Sequence, residues 1–242
     1  PGKAGQYDFI LEGLRALQAS RNEYFDSLRG AAFAVPFSNA ESYAIMRPPT
    51  KEEDGSMRIR ITNVLLMPGV TNEAHIPFIP DAEVLVDGSR IAYAGPRCEA
   101  PSFEADEVID GEGMLAMPGL CNMHTHTPMT LLRSIGSDLT LDRWLNEAIF
   151  PVEKHLTDEA VRAGSDLGIM EMLRFGTTSF NDMYMHMDME AEAVRDSGMR
   201  ALLGHGVVDF DESCADLAPN IALIEKWNHA ADDRIRVSLA PH

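Results

Sequence analysis

Apolar residues near the start of the chain recur every three or four positions, which predicts an amphipathic helix over residues 7 to 29. The recurring positions are Phe9, Ile10, Leu14, Leu17, Tyr24 and Leu28. Prolines and glycines interrupt the residues that follow, a pattern typical of loop and linker. Residues 1–56 are therefore predicted to form a helical extension and a linker.

From residue 57 the pattern changes to alternation rich in β-branched residues. The stretches "MRIRITNVLLMPG" and "DEVIDGEGMLAMPG" are typical of strands. The stretch "AEVLVDGSRIAYAGP" predicts two strands joined at Asp87-Gly88, a pair that favours a hairpin turn. Short strands with tight turns predict a small β-sandwich over residues 57–117.

After Gly119, predicted strands alternate with predicted helices. The strands are "LCNMHTH", "TTSFNDMY", "MRALLGHGVVD" and "RIRVSLAPH", and the long helical stretch after the first strand is expected to break at Pro151. Such alternation indicates parallel βαβ units. A complete eight-stranded barrel takes about 250 residues, so residues 118–242 predict only its first half. The expected fold class is α/β: a partial (β/α)8 barrel of about four strands, preceded by the small β-sandwich and the helical N-terminal extension.

Composition excludes some classes of function. Of 242 residues, 45% are hydrophobic and 24% are charged, and the net charge of −18 argues against binding a nucleic-acid backbone. No apolar run approaches the ~18 residues of a membrane span, and the first residues lack the features of a signal peptide. Three scattered cysteines, Cys98, Cys121 and Cys214, predict reduced thiols and a cytoplasmic protein.

The candidate chemistry begins with His124 and His126 in "MPGLCNMHTHTPM". Residues two apart in a strand face the same side, about 6.5 Å from each other, so both imidazoles can lean towards one ion while Thr125 points into the barrel wall. The spacing alone is a weak signal, and by itself it favours two solvated histidines at a loop. Their place at the end of the first barrel strand favours metal ligands. Asp182 and Tyr184, at the end of the second strand, are interpreted as packing residues.

Several stretches together resemble one family. "MPGLCNMHTHTPMTLLRSIGSDLTLDRWLNEAIFPVEKHLT", "EMLRFGTTSFNDMY", "AVRDSGMRALLGHGVVD" and "RIRVSLAPH" resemble the amidohydrolase superfamily. Within it, they are most similar to the methylthioadenosine/S-adenosylhomocysteine deaminases and the related chlorotriazine hydrolases. The resemblance covers about residues 57 to 242 and leaves out the first fifty.

The resemblance implies one Zn²⁺ or Fe²⁺ per complete site, with His124 and His126 as the first two ligands. The family's third histidine ligand, its glutamate proton shuttle and its metal-binding aspartate lie on later strands. No catalytic residue is therefore expected in this chain, and residues 1–242 alone are expected to be inactive. The implied reaction is attack of metal-activated water on an aromatic ring carbon that bears an amino group, with loss of ammonia.

The resemblance also implies substrate-binding residues. Glu153, in "FPVEK", corresponds to a carboxylate that holds ribose hydroxyls, and an acceptor-only group suits a diol. His242, in "LAPH", corresponds to a histidine that contacts the substrate without binding the metal. Trp144 is interpreted as an apolar wall for a ring or thioether, or alternatively as a core residue of an amphipathic helix.

His205 departs from the family pattern, because the homocysteine-processing members have an arginine there. An imidazole cannot offer the two-pronged fork that an arginine presents to a carboxylate. No arginine occurs in "DFDESCADLAPN" either. The sequence therefore favours methylthioadenosine, adenosine or another aminated heterocycle over S-adenosylhomocysteine, although a structural role for His205 stays open.

Two alternatives remain at this point. The first is a non-catalytic half-barrel subunit that a separate chain completes. The second is an amidohydrolase that acts on a ring amide or a carbon–chlorine bond. The expected partners are a small aminopurine or triazine-like substrate, together with copies of this chain in a homo-oligomer or a complementing C-terminal half.

Overall fold

The computed structural model describes residues 34–36, 57–69, 78–207 and 217–241, with residues 34–36 described by their backbone. The chain separates into two compact units with a boundary between Gly119 and Leu120. The predicted helix at residues 7 to 29 and His242 lie outside the described residues. Within the described part, no helix is long and apolar enough to cross a membrane.

The first unit contains one connected mixed sheet. Its strands are β1 (Ala34–Pro36), β2 (Arg58–Leu66), β3 (Ile79–Asp87), β4 (Arg90–Pro96), β5 (Glu107–Asp110) and β6 (Met114–Ala116). The order is β1-β6-β2-β3-β4, and β5 also pairs with β2. Strand β3 is antiparallel to its neighbours β2 and β4, whereas β5 and β6 run parallel to β2. The β-sandwich over residues 57–117 stays a prediction.

The hairpin predicted at Asp87-Gly88 is confirmed. Strands β3 and β4 pair from Asp87 and Arg90 outward, and Gly88 has a φ of 55°. This left-handed conformation costs glycine nothing because it has no Cβ.

The core of this sheet follows the pleat of β2. Ile59 and Ile61 are buried before an irregularity in the pairing with β3, and Val64 and Leu66 are buried after it. Asn63, between the two pairs, has a φ of 62°. The irregularity shifts the inward-facing positions from odd-numbered to even-numbered residues. Strand β2 therefore keeps its apolar side on the core along its whole length.

The second unit contains a parallel sheet. Its strands are β7 (Leu120–Thr125), β8 (Thr177–Tyr184), β9 (Arg200–Val207), β10 (Ile235–Val237) and β11 (Ala240–Pro241). The order is β10-β9-β8-β7, with β11 paired to β9, and every pair is parallel. The predicted parallel βαβ arrangement is confirmed. The last predicted strand consists of two short strands, β10 and β11.

Three helices of eleven residues or more connect these strands: α1 (Asp158–Arg174), α2 (Met187–Ser197) and α3 (Leu217–Trp227). The shorter helical segments of this unit are Thr127–Leu132, Leu141–Arg143, Trp144–Ile149, Phe150–Glu153 and Ala230–Asp233. One apolar core joins helices and strands, with Ile169 from α1, Val194 from α2, Phe180 from β8 and Leu203 from β9.

The helical stretch before α1 does not break at Pro151, in contrast to the prediction. A π-helical segment, Trp144–Ile149, runs directly into Phe150–Glu153, where Pro151 occupies the first turn. Proline is tolerated there because it directly follows a π-type turn, in which the Phe150 amide donates to the Leu145 carbonyl, so its missing N–H falls where the regular hydrogen-bond pattern already changes. The break falls instead between Glu153 and Asp158, where the side chain of Thr157 accepts a hydrogen bond from the Ala160 amide and caps α1.

Candidate functional site

The two predicted ligand histidines lie at the carboxyl end of β7. Their ring centroids are 5.3 Å apart and their planes are nearly perpendicular. His124 is exposed and His126 is half-buried. The carboxyl ends of β8 and β9 lie beside them, because all three strands are parallel and adjacent. This edge is where β/α barrels build active sites.

A hydrogen bond to the neighbouring strand orients His126. Its Nδ1 atom lies 2.6 Å from the carbonyl oxygen of Met183 on β8. A carbonyl oxygen accepts only, so Nδ1 carries the proton and the lone pair is on Nε2. Histidines that bind metals commonly make this contact with the nitrogen that does not bind the metal. The donor set and the tautomer of His126 therefore fit a zinc-type ion.

Thr125 turns away from the two imidazoles, as expected. Its hydroxyl donates to Oδ2 of Asp182 across 2.6 Å. The amide and the hydroxyl of Thr127 donate to the same oxygen, the amide across 2.6 Å. Asp182 was interpreted as a packing residue, and it is buried, but it also binds the residues on both sides of His126, the side chain of Thr125 and the backbone amide of Thr127.

The segment Thr127–Leu132, directly after the histidines, packs tightly on helix α1. The hydroxyl of Thr130 donates to the carbonyl oxygen of Gly164 across 2.7 Å. A Cβ atom at Gly164 would lie only 2.4 Å from the carbonyl oxygen of Pro128. The close approach explains why α1 has a glycine here, despite the poor helix propensity of glycine.

Glu153 reaches the same region through Tyr184. The Tyr184 hydroxyl donates to Oε1 of Glu153 across 2.7 Å, and its ring centroid lies 6.3 Å from that of His126. Burial, followed by the hydrogen bond to Glu153, raises the pKa of Tyr184 well above its usual value. The phenol therefore keeps its proton and donates, which leaves Oε2 of Glu153 outside this bond.

Sequence reasoning assigned Tyr184 to packing and missed this link. The residue is indeed buried. The one available signal was its position at the carboxyl end of β8, which alone does not specify a partner 31 residues earlier.

Of two other predicted substrate residues, Trp144 has a side-chain contact that fits a structural role, and His205 makes a backbone contact. The indole N–H of Trp144 donates to the carbonyl oxygen of Ile135 across 2.8 Å. His205 is half-buried on β9, in register with Tyr184, and its carbonyl oxygen accepts from Asn220 on α3 across 2.5 Å. Their substrate contacts stay predictions, as does that of His242.

In the described ranges, no third histidine, cysteine, aspartate or glutamate joins His124 and His126 in a group that could hold a metal ion. A catalytic zinc site usually has three protein ligands and one open position. Two histidines alone leave such a site short of one protein ligand.

Comparisons with known proteins cover mainly this part of the chain. The amidohydrolase family profile matches residues 115–242, more than half of the chain. A 5'-deoxyadenosine deaminase from Methanothermobacter thermautotrophicus is 48% identical over 162 residues, which cover 66% of this chain and 38% of the relative. A 5-methylthioadenosine/S-adenosylhomocysteine deaminase from Carboxydothermus hydrogenoformans is 46% identical over 162 residues, covering 66% and 37%. The chain thus spans less than half the length of these relatives.

Solved structures of two enzymes also resemble this chain. An adenosine deaminase from Xanthomonas campestris, with bound zinc, has a TM-score of 0.67 at 34% identity and covers 77% of this chain and 43% of its own. An atrazine chlorohydrolase from Arthrobacter aurescens, complexed with zinc, has a TM-score of 0.64 at 21% identity, covering 76% and 46%. The second likeness shows a shared fold alone. From the family match and the parallel β/α unit, we conclude that the chain belongs to the amidohydrolase family.

Proposed function

We propose that the protein is a metal-dependent deaminase of adenine nucleosides whose 5′ substituent carries no carboxylate, such as 5′-deoxyadenosine, methylthioadenosine or adenosine. One observation carries this proposal: Glu153 and the histidine pair converge on one edge of the parallel sheet, linked through Tyr184. A metal site and a diol-binding carboxylate side by side suit a substrate with a reactive ring and a ribose.

His124 and His126 would hold the metal, zinc or iron. A divalent metal bound there supplies an activated water as the nucleophile. The contribution of the chain is positional: the Met183 carbonyl fixes the tautomer of His126, and Asp182 fixes the backbone beside it. The remaining ligands and the proton shuttle would come from strands beyond those described.

Glu153 would accept hydrogen bonds from the two ribose hydroxyls. Tyr184 occupies Oε1 and holds the carboxylate in one orientation. A carboxylate oxygen accepts more than one hydrogen bond, so the contact with Tyr184 leaves acceptor capacity for a diol. A carboxylate that is already oriented loses less conformational entropy when the nucleoside binds.

The residue expected to contact the 5′ end of the substrate, His205, differs between this chain and its family. The names of the relatives include nucleosides with and without an amino-acid tail at the 5′ position. His205 replaces the arginine that the resemblance implies for binding a tail carboxylate. The substitution favours nucleosides with a neutral 5′ group.

Ammonia release from a substrate panel tests the proposal when it is measured with the complete protein, including the later strands that would carry the remaining ligands. The panel contains 5′-deoxyadenosine, methylthioadenosine, adenosine, S-adenosylhomocysteine and a chlorotriazine. We expect the highest kcat/KM for the first three and the lowest for the chlorotriazine. Chloride release from the triazine without deamination of any nucleoside would contradict the proposal and favour the carbon–chlorine alternative.

Further proposals concern the organisation of the protein. We expect an extension at 1–56, a β-sandwich at 57–117 and the first half of the barrel at 118–242. We also expect a cytoplasmic enzyme that forms a homo-oligomer or is completed by a C-terminal half. Light scattering combined with mass spectrometry of the purified protein distinguishes these assemblies.

A further inference from the structure

Met183 on β8 lies beside the histidine pair, yet it is not part of either apolar core of the described residues. Burial alternates along this strand, with Phe180, Asp182 and Tyr184 buried. Asn181 and Met183, which lie between them, are half-buried. Phe180 and Tyr184 pack with the helices in the apolar core. Because side chains alternate across a strand, Met183 faces the other side of the parallel sheet.

His124 faces the same side of the sheet as Met183. Thr125 on β7 bonds to Asp182, which faces the helices, so the preceding residue, His124, faces away from them. The backbone of Met183 is close to the second histidine as well, because its carbonyl oxygen lies 2.6 Å from Nδ1 of His126. The side chain of Met183 therefore starts next to the two imidazoles.

The thioether of Met183 extends towards the carboxyl ends of the strands. Met183 pairs with Gly204 on β9, but its sulfur lies over Gly206, where a Cβ atom would be only 2.8 Å from Sδ. Two residues along a strand span about 6.5 Å, so the side chain leans by roughly that length towards the edge of the sheet that carries the histidines. A glycine at position 206 leaves the space that the thioether occupies.

A thioether at this position suits the face or edge of an aromatic ring. Sulfur is polarisable, and methionine makes favourable contacts with aromatic rings at about 5 Å. In the proposed reaction, the attacked carbon belongs to an aromatic ring held beside His124 and His126. A ring in that place lies over the carboxyl ends of β7 and β8, where the Met183 side chain is.

We propose that Met183 forms one wall of the substrate pocket and packs against the aromatic ring of the substrate, with Gly206 leaving room for its thioether. Met183 then has two separate functions: its backbone carbonyl orients His126, and its side chain holds the ring. The inference rests on the proposed function, which supplies the identity of the ring.

NMR of the complete protein, labelled at the methionine methyl groups, tests the contact directly. The Met183 signal is assigned by its loss in Met183→Leu. The probe is 5′-deoxyinosine, the product expected from 5′-deoxyadenosine, which is not turned over. The ring current of a purine packed on the thioether should move the Met183 signal upfield. The control is the signal of Met172, which packs against the apolar core and should stay in place.

A chlorotriazine as a second probe separates this inference from the proposed function. If the triazine moves the Met183 signal and the nucleoside moves no signal, the nucleoside function is wrong and the ring contact stands. If the nucleoside moves other methionine signals but not that of Met183, the ring contact is wrong and Met183 is a packing residue. The ring contact is also wrong if neither probe moves the Met183 signal.

Zinc affinity and kinetics separate the two functions of Met183. Met183→Ala should raise the KM for 5′-deoxyadenosine about fivefold, within the range of a sulfur–aromatic contact. Its zinc affinity should stay within about twofold of the wild type, because the backbone carbonyl that orients His126 remains. An unchanged KM would contradict the wall, and a parallel loss of zinc affinity would show that the side chain acts through His126 instead.

A second variant tests the space at Gly206. Gly206→Ala should raise the KM as Met183→Ala does, because the new Cβ meets the sulfur. Added to Met183→Ala, it should change the KM little, since residues in contact are not additive. Fully additive effects of the two substitutions would show that Gly206 does not act through Met183.

Discussion

The hydroxyl of Tyr184 donates a hydrogen bond to Glu153 across 2.7 Å. This contact joins the second strand of the parallel sheet to the helical segment before α1, and it lies next to His126. A carboxylate that the resemblance implies for ribose binding is therefore oriented by a buried phenol at the same strand ends that carry the histidines.

The first prediction concerns this carboxylate. Glu153→Gln should raise the KM for 5′-deoxyadenosine about tenfold, because hydrogen bonds to a charged group contribute about 1.5–3 kcal/mol. Tyr184→Phe should raise it less, since the carboxylate remains but loses its fixed orientation. Steady-state kinetics of ammonia release measure both effects.

A substrate that lacks the two ribose hydroxyls distinguishes a loss of diol binding at Glu153 from a general folding defect. With the 2′,3′-dideoxy form of the same nucleoside, Glu153→Gln and the wild type should have nearly equal kcat/KM. If Glu153→Gln slows both substrates by the same factor, Glu153 does not bind the diol.

The second prediction concerns the packing of Thr127–Leu132 on helix α1. Gly164→Ala should destabilise the protein by about 1–3 kcal/mol, the usual cost of overpacking, because the new Cβ meets the backbone of Pro128. Helix propensity alone predicts the opposite sign, a gain of about 1 kcal/mol. Chemical denaturation therefore decides by the sign of the change, and a gain in stability would contradict the close approach.

The third prediction concerns the salt bridges between α1 and α2. The Arg162 side chain is 13% exposed and binds Asp166 and Asp196, so Arg162→Ala should cost about 2 kcal/mol, the effect of losing hydrogen bonds between charged groups. Arg143→Ala breaks a pair with Glu147 whose side chains are 57% and 53% exposed. That control should cost much less, because solvent screens an exposed ion pair. Equal losses of stability in the two variants would show that burial does not strengthen the salt bridges of Arg162.

Local patterns predicted much of the fold, and the particular residues show why. Gly88 marks a turn that glycine adopts at no steric cost, and the polar ends of β7, β8 and β9 lie together because parallel neighbouring strands share a direction. The break predicted at Pro151 was wrong, because a proline at the junction of a π-helical and an α-helical segment looks in sequence like a proline that ends a helix.

The polar contacts behind the site could not be predicted in the same way. Asp182 on β8 and Glu190 on α2 are both buried, and nothing in their spacing says that both side chains point inward. Tyr184 meets Glu153 only because the sheet brings together residues 31 positions apart. Contacts of this kind depend on tertiary packing, which a periodic pattern does not encode.

The central claim is that His124 and His126 bind the metal of a deaminase site, and calorimetric titration of zinc into the chelator-treated protein tests it most directly. His124→Ala and His126→Ala should each lower zinc affinity by more than about tenfold. Losing a residue that only orients a metal ligand already lowers affinity by about that factor, and these variants lose a ligand itself. The control is His186→Ala, which removes an exposed histidine paired with Asp158 and should leave the affinity unchanged. Wild-type zinc affinity in both His124→Ala and His126→Ala would contradict the account.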